Sequence, residues 1–337
     1  MPFALPMTQA PRTPIALPGL HIGHATHAHR PTGCTVWLWP QGTVGSVEVR
    51  GAAPGTRETD VLHPDNTVSE VHGLCLSGGS AFGLDAASGV MHWLAEQGRG
   101  VAVGPARVPI VPSAVIFDLT VGDAQHLPNA ALGRAACASA TPHGVPSGNW
   151  GAGAGATVGK LRGPDQAMRG GFGQCELRMG ELRMLAWAVV NAVGDVWHPL
   201  THQCLAGART APDSLTLVDM WQALAGDHSP HHAWLGGNTT LGVVATNQRL
   251  NKQQAHRLAM AAHNGLAQSI KPVHTAFDGD AVFAFSTGSL HTEPDVVRLG
   301  AMAAQALSLA VVDAVMSAQS LRLGTRWWPS ATERGLT

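Results

Sequence analysis

The stretch GGNTTLGVVATN, residues 236–247, begins with small polar residues and becomes strand-like with no turn between the two parts. Residues 241–246 are apolar or β-branched and read as a buried strand, with Thr239 and Thr240 at its mouth. A helix follows. Asn251 and Gln254 make a capping-box-like start for it, and Leu258, Ala262, Leu266 and Ile270 line one side. Residues 281–287 then read as a second strand, and a second helix begins at TEPD (292–295) and runs through alanine-rich sequence to about Ala318.

On the N-terminal side, residues 182–193 (LRMLAWAVVNAV) form a long apolar run whose single amide is Asn191. Between that run and the opening stretch, residues 194–237 hold several breakers and histidines around one short helical candidate, SLTLVDMWQALAG. They read as a mobile connection. The first half of the chain offers strands at 34–39, 44–49, 71–76 and 114–119. A helix between the last two carries Leu84, Ala87, Met91 and Leu94 on one face, with Ser80 as its cap and Gly98 as its end. Strands that are continuous apolar runs, mixed with helices, predict an α/β fold of sheets covered by helices in layers.

Composition narrows the class. With 337 residues and 45% hydrophobic content, the chain can bury a substantial core as one large domain or two small ones. Its 21 basic and 22 acidic residues nearly cancel, so the field that a nucleic-acid binder or a polybasic membrane surface needs is missing. A small molecule or another protein is the expected partner. Five scattered cysteines without a CxxC pair point to reduced thiols and a cytoplasmic location. The N-terminal residues lack signal-peptide character, and no run reaches the roughly 20 apolar residues of a membrane helix.

Several motifs invite chemistry that their context does not support. GNWGAGAGATVGK (148–160) contains GxGxxA, but no clear strand leads into it, and Lys160 is followed by Leu161 where a phosphate loop has Ser or Thr. It reads as a structural or ligand-loop segment. The histidines at 21, 24, 27 and 29 lack cysteine or carboxylate partners at ligand spacing and read as a solvated loop, as do His228, His231 and His232. A GxSxG elbow is absent, and Ser77-Gly-Gly-Ser80 reads as a helix-capping turn. Residues 50–60 read as a surface loop.

The threonines remain. A threonine hydroxyl is a poor nucleophile unless a base adjoins it, and a threonine that begins a chain supplies its own α-amine as that base. Such an amine titrates near pH ~8, suited to proton transfer close to neutrality. The alternative is that Thr239 and Thr240 merely start a strand.

Taken with TGCTVWLW, VEVRGAAPGTRETDVL, LSGGSAFGLDAASGV, VPIVPSAVIFDL, GNWGAGAGATVGKL, VVNAVGDV and PVHTAFDGDAVFAFSTG, the stretch NTTLGVVATN resembles the self-processing aminopeptidases that include L-aminopeptidase/D-amidase-esterases and β-peptidyl aminopeptidases. The resemblance runs through most of the chain and leaves out the N-terminus, residues 196–237 and the C-terminal end. It implies a four-layer αββα sandwich in one structural domain, cut once into an α chain (1–238) and a β chain (239–337). The Thr239 hydroxyl would attack the Asn238 carbonyl, and hydrolysis of the resulting ester would free the amine. Asn191 stands where the family has an oxyanion-stabilising asparagine, although a buried amide satisfying backbone groups is the other reading. Asp280 stands where an acidic residue orients the nucleophile's amine. Asp278 replaces the serine common in relatives, and the chain has no tyrosine to approach the substrate carbonyl.

The implied activity is release of small N-terminal α- or β-aminoacyl groups from peptides, amides or esters by a homo-oligomer of αβ units, without metal or cofactor. Two rivals stand beside it: an acyltransferase similar to ornithine acetyltransferases, and an uncleaved binding homologue.

Overall fold

The structure, a computed structural model, describes residues 14–225 and 237–336. Two sheets share one long strand. They are built from β1 (His21–Thr26), β2 (Gly33–Val49), β3 (Thr56–Arg57), β4 (Val71–Ser77), β5 (Ser113–Val115), β6 (Gly171–Met179), β7 (Leu182–Asn191), β8 (Thr239–Gln248) and β9 (Ala281–Leu290). The first half of β2 pairs antiparallel with β1 and β4; its second half pairs antiparallel with β9. The two runs at 34–39 and 44–49, which look like separate strands, are thus one strand that changes sheets. Gly42 lies in the crossing segment with φ 79°, a conformation that glycine adopts without a Cβ clash. From β9 the second sheet continues through parallel β8 to antiparallel β7 and β6.

The helices are α1 (Ala86–Glu96), α2 (Ala130–Ala138), α3 (Met220–Ala225), α4 (Lys252–Ser269) and α5 (Val296–Met316). Alternation along the strands assigns the layers. On β8, Leu241, Val243 and Ala245 point between the sheets, where they meet Trp37, Leu74, Leu76, Trp187, Phe283 and Phe285. Val244 points the other way, toward Leu258, Leu266, Leu307 and Val311 of α4 and α5. A third cluster joins Val36 and Leu38 to Val90 and Leu94 of α1 and to Ala136 of α2. The order is therefore helix, sheet, sheet, helix, the αββα sandwich anticipated from the sequence. Each buried Val, Leu or Phe contributes ~1.5–3 kcal/mol, so slipping β8 by one residue would invert its apolar set and forfeit several such terms.

Local signals hold at α4, where Asn251 accepts from the Gln254 amide and Gln254 returns the bond. At the second C-terminal helix the cap is Asp295, which accepts from Arg298 N. α5 is long and apolar enough to cross a membrane by length and composition, a property the sequence reading did not find. Its buried residues, among them Leu299, Met302, Leu307 and Val311, pack in the core it shares with the second sheet and α4.

Other expectations need correction. Ser80 does not cap α1: it has φ 55° and starts a 3-10 turn, Ser80–Asp85, before the helix. The strand expected over 114–119 ends at Val115, because the chain then turns and buries Asp118. His21 and His24 are not in a solvated loop; they lie on β1, and burial pushes the His24 imidazole down to about 4. Residues 195–225 are not an unstructured connection either. Asp195–Trp197 pairs with Cys204–Ala206 and Ile270–Lys271, and the buried Arg209 donates to the carbonyls of Asp165, Gln166, Pro212, Ser214 and Trp327. The remainder of the expected mobile segment, with His228, His231 and His232, lies outside the described residues.

The buried Asp118 ties the β1–β2 corner to the segment after β5. It accepts from Arg30 Nη2 at 2.8 Å, from Thr32 Oγ1 at 2.6 Å and from Gly79 N at 2.8 Å. Arg30→Ala would leave that carboxylate without its counter-charge, and we expect a loss of roughly 3–5 kcal/mol in urea unfolding. A loss below about 1 kcal/mol, the exposed-pair range, would contradict this account.

Candidate active site

Parity along two adjacent strands brings the site together. Residues 185, 187 and 189 of β7 face between the sheets, as do 241, 243 and 245 of β8, so Asn191 and Thr239 at the strand ends share that face. They are also partners in register. Both are buried, with Thr239 only 3% exposed.

The loop before β9 supplies the opposite wall. Asn238 and Asp278 form a parallel bridge, and Gly279 N donates to the Asn238 carbonyl at 2.9 Å. The Thr239 hydroxyl donates to the same carbonyl oxygen at 2.5 Å. A Cβ on Gly279 would lie 2.8 Å from Thr239 Oγ1 and 2.9 Å from Ala53 O, so only glycine fits beside Thr239. Arg50 N and Gly51 N donate to Asp280 O, and Ala53 N donates to Asp278 O. The beginning of the 50–60 segment therefore braces this loop, a role its polar composition did not reveal.

The two carboxylates are held differently. Asp280 Oδ1 accepts from Thr240 N at 2.6 Å, while Oδ2 takes the backbone N–H and ring Nδ1 of His274 at 3.1 and 2.8 Å. Asp278 Oδ2 accepts from Thr275 N at 2.7 Å. Its Oδ1 is buried with no hydrogen-bond partner among the described residues. Burial raises the Asp278 carboxyl above its usual range, and the neighbouring Asp280 charge adds to the effect.

Lys160 completes the cluster, and the sequence reading did not select it. Its buried ammonium donates to Asn191 O at 2.9 Å, Asn191 Oδ1 at 3.0 Å and Gly237 O at 3.2 Å. Burial brings it down to about 7 against the attraction of Asp278 and Asp118. The available signal was a lysine after glycine in a segment already suspected of ligand contact.

Asn191 lies opposite Thr239 in register, and its side chain satisfies backbone groups, as the second reading of this buried amide has it. Its Oδ1 accepts from Thr157 N and Lys160, and its Nδ2 donates to Phe117 O at 3.0 Å. In the uncut chain the amide fixes Lys160 and two backbone segments, while Gly279 N–H polarises the Asn238 carbonyl. Among the described residues, no group of three or more His, Cys, Asp or Glu side chains is arranged to hold a metal ion.

A buried threonine at the mouth of a central strand of an αββα sandwich, its hydroxyl on the preceding carbonyl, defines the class of self-cleaving N-terminal-nucleophile hydrolases. The chain matches the model of peptidase family S58 over residues 15–326 and belongs to that family. It is a hydrolase of the aminopeptidase type.

It is 40% identical over 332 residues to a protein described as an uncharacterized aminopeptidase of Mycobacterium tuberculosis, covering 89% of this chain and 92% of the relative. It is 33% identical over 314 residues to a 6-aminohexanoate-oligomer endohydrolase of Paenarthrobacter ureafaciens, covering 88% and 84%. Among solved structures, a Burkholderia sp. β-aminopeptidase superposes with a TM-score of 0.69 at 18% identity, covering 94% of this chain and 92% of that one. The L-aminopeptidase D-Ala-esterase/amidase of Ochrobactrum anthropi gives 0.69 at 16%, covering 96% and 94%. The two structures share the fold.

Proposed function

We propose that this enzyme cuts itself between Asn238 and Thr239 and then hydrolyses amides or esters of small aminoacyl groups through an ester on the same threonine. One observation carries the reading: the Thr239 hydroxyl lies on a carbonyl that Gly279 N–H already polarises. In the uncut chain Thr239 N is an amide and cannot serve as base. The Asp278 carboxylate, whose Oδ1 has no partner among the described residues, takes the hydroxyl proton as Oγ1 adds to the Asn238 carbonyl carbon. That proton passes to Thr239 N as the C–N bond breaks. Water then hydrolyses the ester, leaving a carboxylate on Asn238 and a free amine and hydroxyl on Thr239.

In turnover that amine, which titrates near pH ~8 when unperturbed, replaces Asp278 as the base. Asp280 fixes the start of β8 through Thr240 N, and Lys160 presents positive charge to the acyl side, where it holds Gly237 O before cleavage.

The substrate panel follows from the relatives: alanyl and β-alanyl p-nitroanilides, amides and esters, with 6-aminohexanoate oligomers beside them. Release of free amine supports hydrolysis; transfer of the acyl group to an added amine, with little hydrolysis, would favour the acyltransferase. Assembly into homo-oligomers of αβ units is part of the same proposal, supported by the exposed Val296 and Val297 at the start of α5, and sedimentation measures it. A cytoplasmic location is likewise proposed, supported by five unpaired cysteines.

Gly279→Ala tests the carbonyl contact. The added methyl must displace Thr239 Oγ1 or Ala53 O, and we expect self-cleavage to slow by about 10²-fold or more, the scale of one lost oxyanion donor. A time course on a denaturing gel measures it, and cutting at the wild-type rate would refute the assignment.

A further inference from the structure

We propose that His274 is a positioning residue for this site: its backbone and ring N–H groups together fix Asp280, and through Asp280 the Thr240 amide that follows the nucleophile. The inference rests on the reading of Thr239 given above.

His274 lies in the turn between the Ile270–Lys271 strand and Asp278. It has φ 54°, in the left-handed region that residues with a Cβ seldom enter, although His and Asn do so more often than most. A residue stays in such a conformation when its surroundings over-determine it. Here both of its donors converge on one oxygen, Asp280 Oδ2, at 3.1 and 2.8 Å. The double hold leaves Oδ1 for Thr240 N. Among the described residues, no other hydrogen bond of the Asp280 side chain ties it to the loop that carries Asp278.

The two ring nitrogens of His274 have different surroundings. Nδ1 faces a carboxylate and must carry a proton to donate. Nε2 is buried with no partner among the described residues. His274 therefore acts on the site through Nδ1–H and its backbone N–H. Other charged and titratable groups stand around it. The His263 ring of α4 stands edge-on at 4.8 Å, anchored through Nε2 to Glu48 O and kept neutral by burial; Arg50 follows at the end of β2, and Lys160 faces Asp278 across the cleft.

The two N–H donors on Oδ2 hold the Asp280 carboxylate in place. The negative charge held there is one of the two causes that raise Asp278. Without His274, the Asp280 carboxylate is free to move relative to Asp278, and Thr240 N loses a fixed acceptor. Asp278 feels the position of that charge, so the acid limb of self-cleavage is where the change is read.

The experiment follows full-length chain made by cell-free translation, with cutting timed on denaturing gels as a function of pH. We expect His274→Ala to cut roughly ten- to a hundredfold more slowly, the scale of losing hydrogen bonds to a charged group, with its acid limb displaced from that of wild type. His274→Asn places an amide N–H close to Nδ1 and tolerates the same backbone conformation, so it should restore most of the rate. Should the alanine variant not fold, His274→Asn against His274→Gln decides, because glutamine carries its amide one carbon too far. The asparagine variant must then be the faster.

A His274→Ala chain with wild-type rate and pH profile would overturn the proposal, as would a slow His274→Asn with an unshifted profile. Failure of the underlying reading looks different, since wild-type chain would then stay uncut.

Discussion

Purified wild-type protein is expected to separate on a denaturing gel into residues 1–238 and 239–337, while Thr239→Ala runs as one chain of 337 residues. Loss of a nucleophile that nothing can replace lowers such a reaction by roughly 10⁴-fold or more, so no second band should form on a practical timescale. Thr239→Ser keeps the hydroxyl and should still cut. The alanine chain should also fold. Thr239 begins a strand whose partners, Asn191 on β7 and the β9 strand, are set by backbone bonds rather than by its side chain.

The same topology predicts that the two wild-type pieces stay together without denaturant. β8 lies between β7 of the α chain and β9 of the β chain, and β9 pairs in turn with β2 of the α chain. The cut therefore falls at the edge of a shared core, and gel filtration should give a single species containing both pieces. Intact mass measures the first result. Wild-type protein that remains whole after native incubation would sink the mechanism.

What could be read from the sequence divides along a physical line. β8 and the α4 cap were legible because their causes are local: β-branched residues in a run, and an Asn and a Gln three residues apart. Asn191 was conspicuous as the one amide in an apolar strand, yet its bonds depend on Lys160, Thr157 and Phe117, which only the register of the folded sheet brings to it. Lys160 was hidden for the same reason, since its contact with Gly237 joins residues 77 positions apart. The sheet crossing in β2 was missed because Pro40 and Gly42 look like a turn. Four layers became legible through the family resemblance, and the packing shows why they form: three apolar clusters, each filling one gap between adjacent layers.

Self-cleavage should follow a bell-shaped pH profile whose limbs belong to Asp278 and Lys160. The carboxylate must be ionised to accept the Thr239 proton. Burial and Asp280 raise its pKa, so the rate is lost as pH falls through a value above the ordinary carboxylate range. Lys160 carries the other sign. Its three acceptors, Asn191 O, Asn191 Oδ1 and Gly237 O, use all three ammonium protons, and a neutral amine has only two. With its pKa down at about 7, it loses that third donor as pH rises through neutrality, and the rate falls again.

Asp278→Asn should remove the acid limb and slow cutting by about 10²–10⁴-fold, the range for a lost general base. Lys160→Met keeps an unbranched side chain of similar length but removes the charge. It should flatten the alkaline limb and cost about 10²-fold, because the Gly237 carbonyl and the Asn191 amide lose the group that holds them in place. The two variants also separate the roles. Were Lys160 the base, wild-type cutting would keep accelerating well above neutrality and Asp278→Asn would retain that rise. A lysine that donates to three oxygens has no lone pair to spare, and the descending limb is the measurement that shows it.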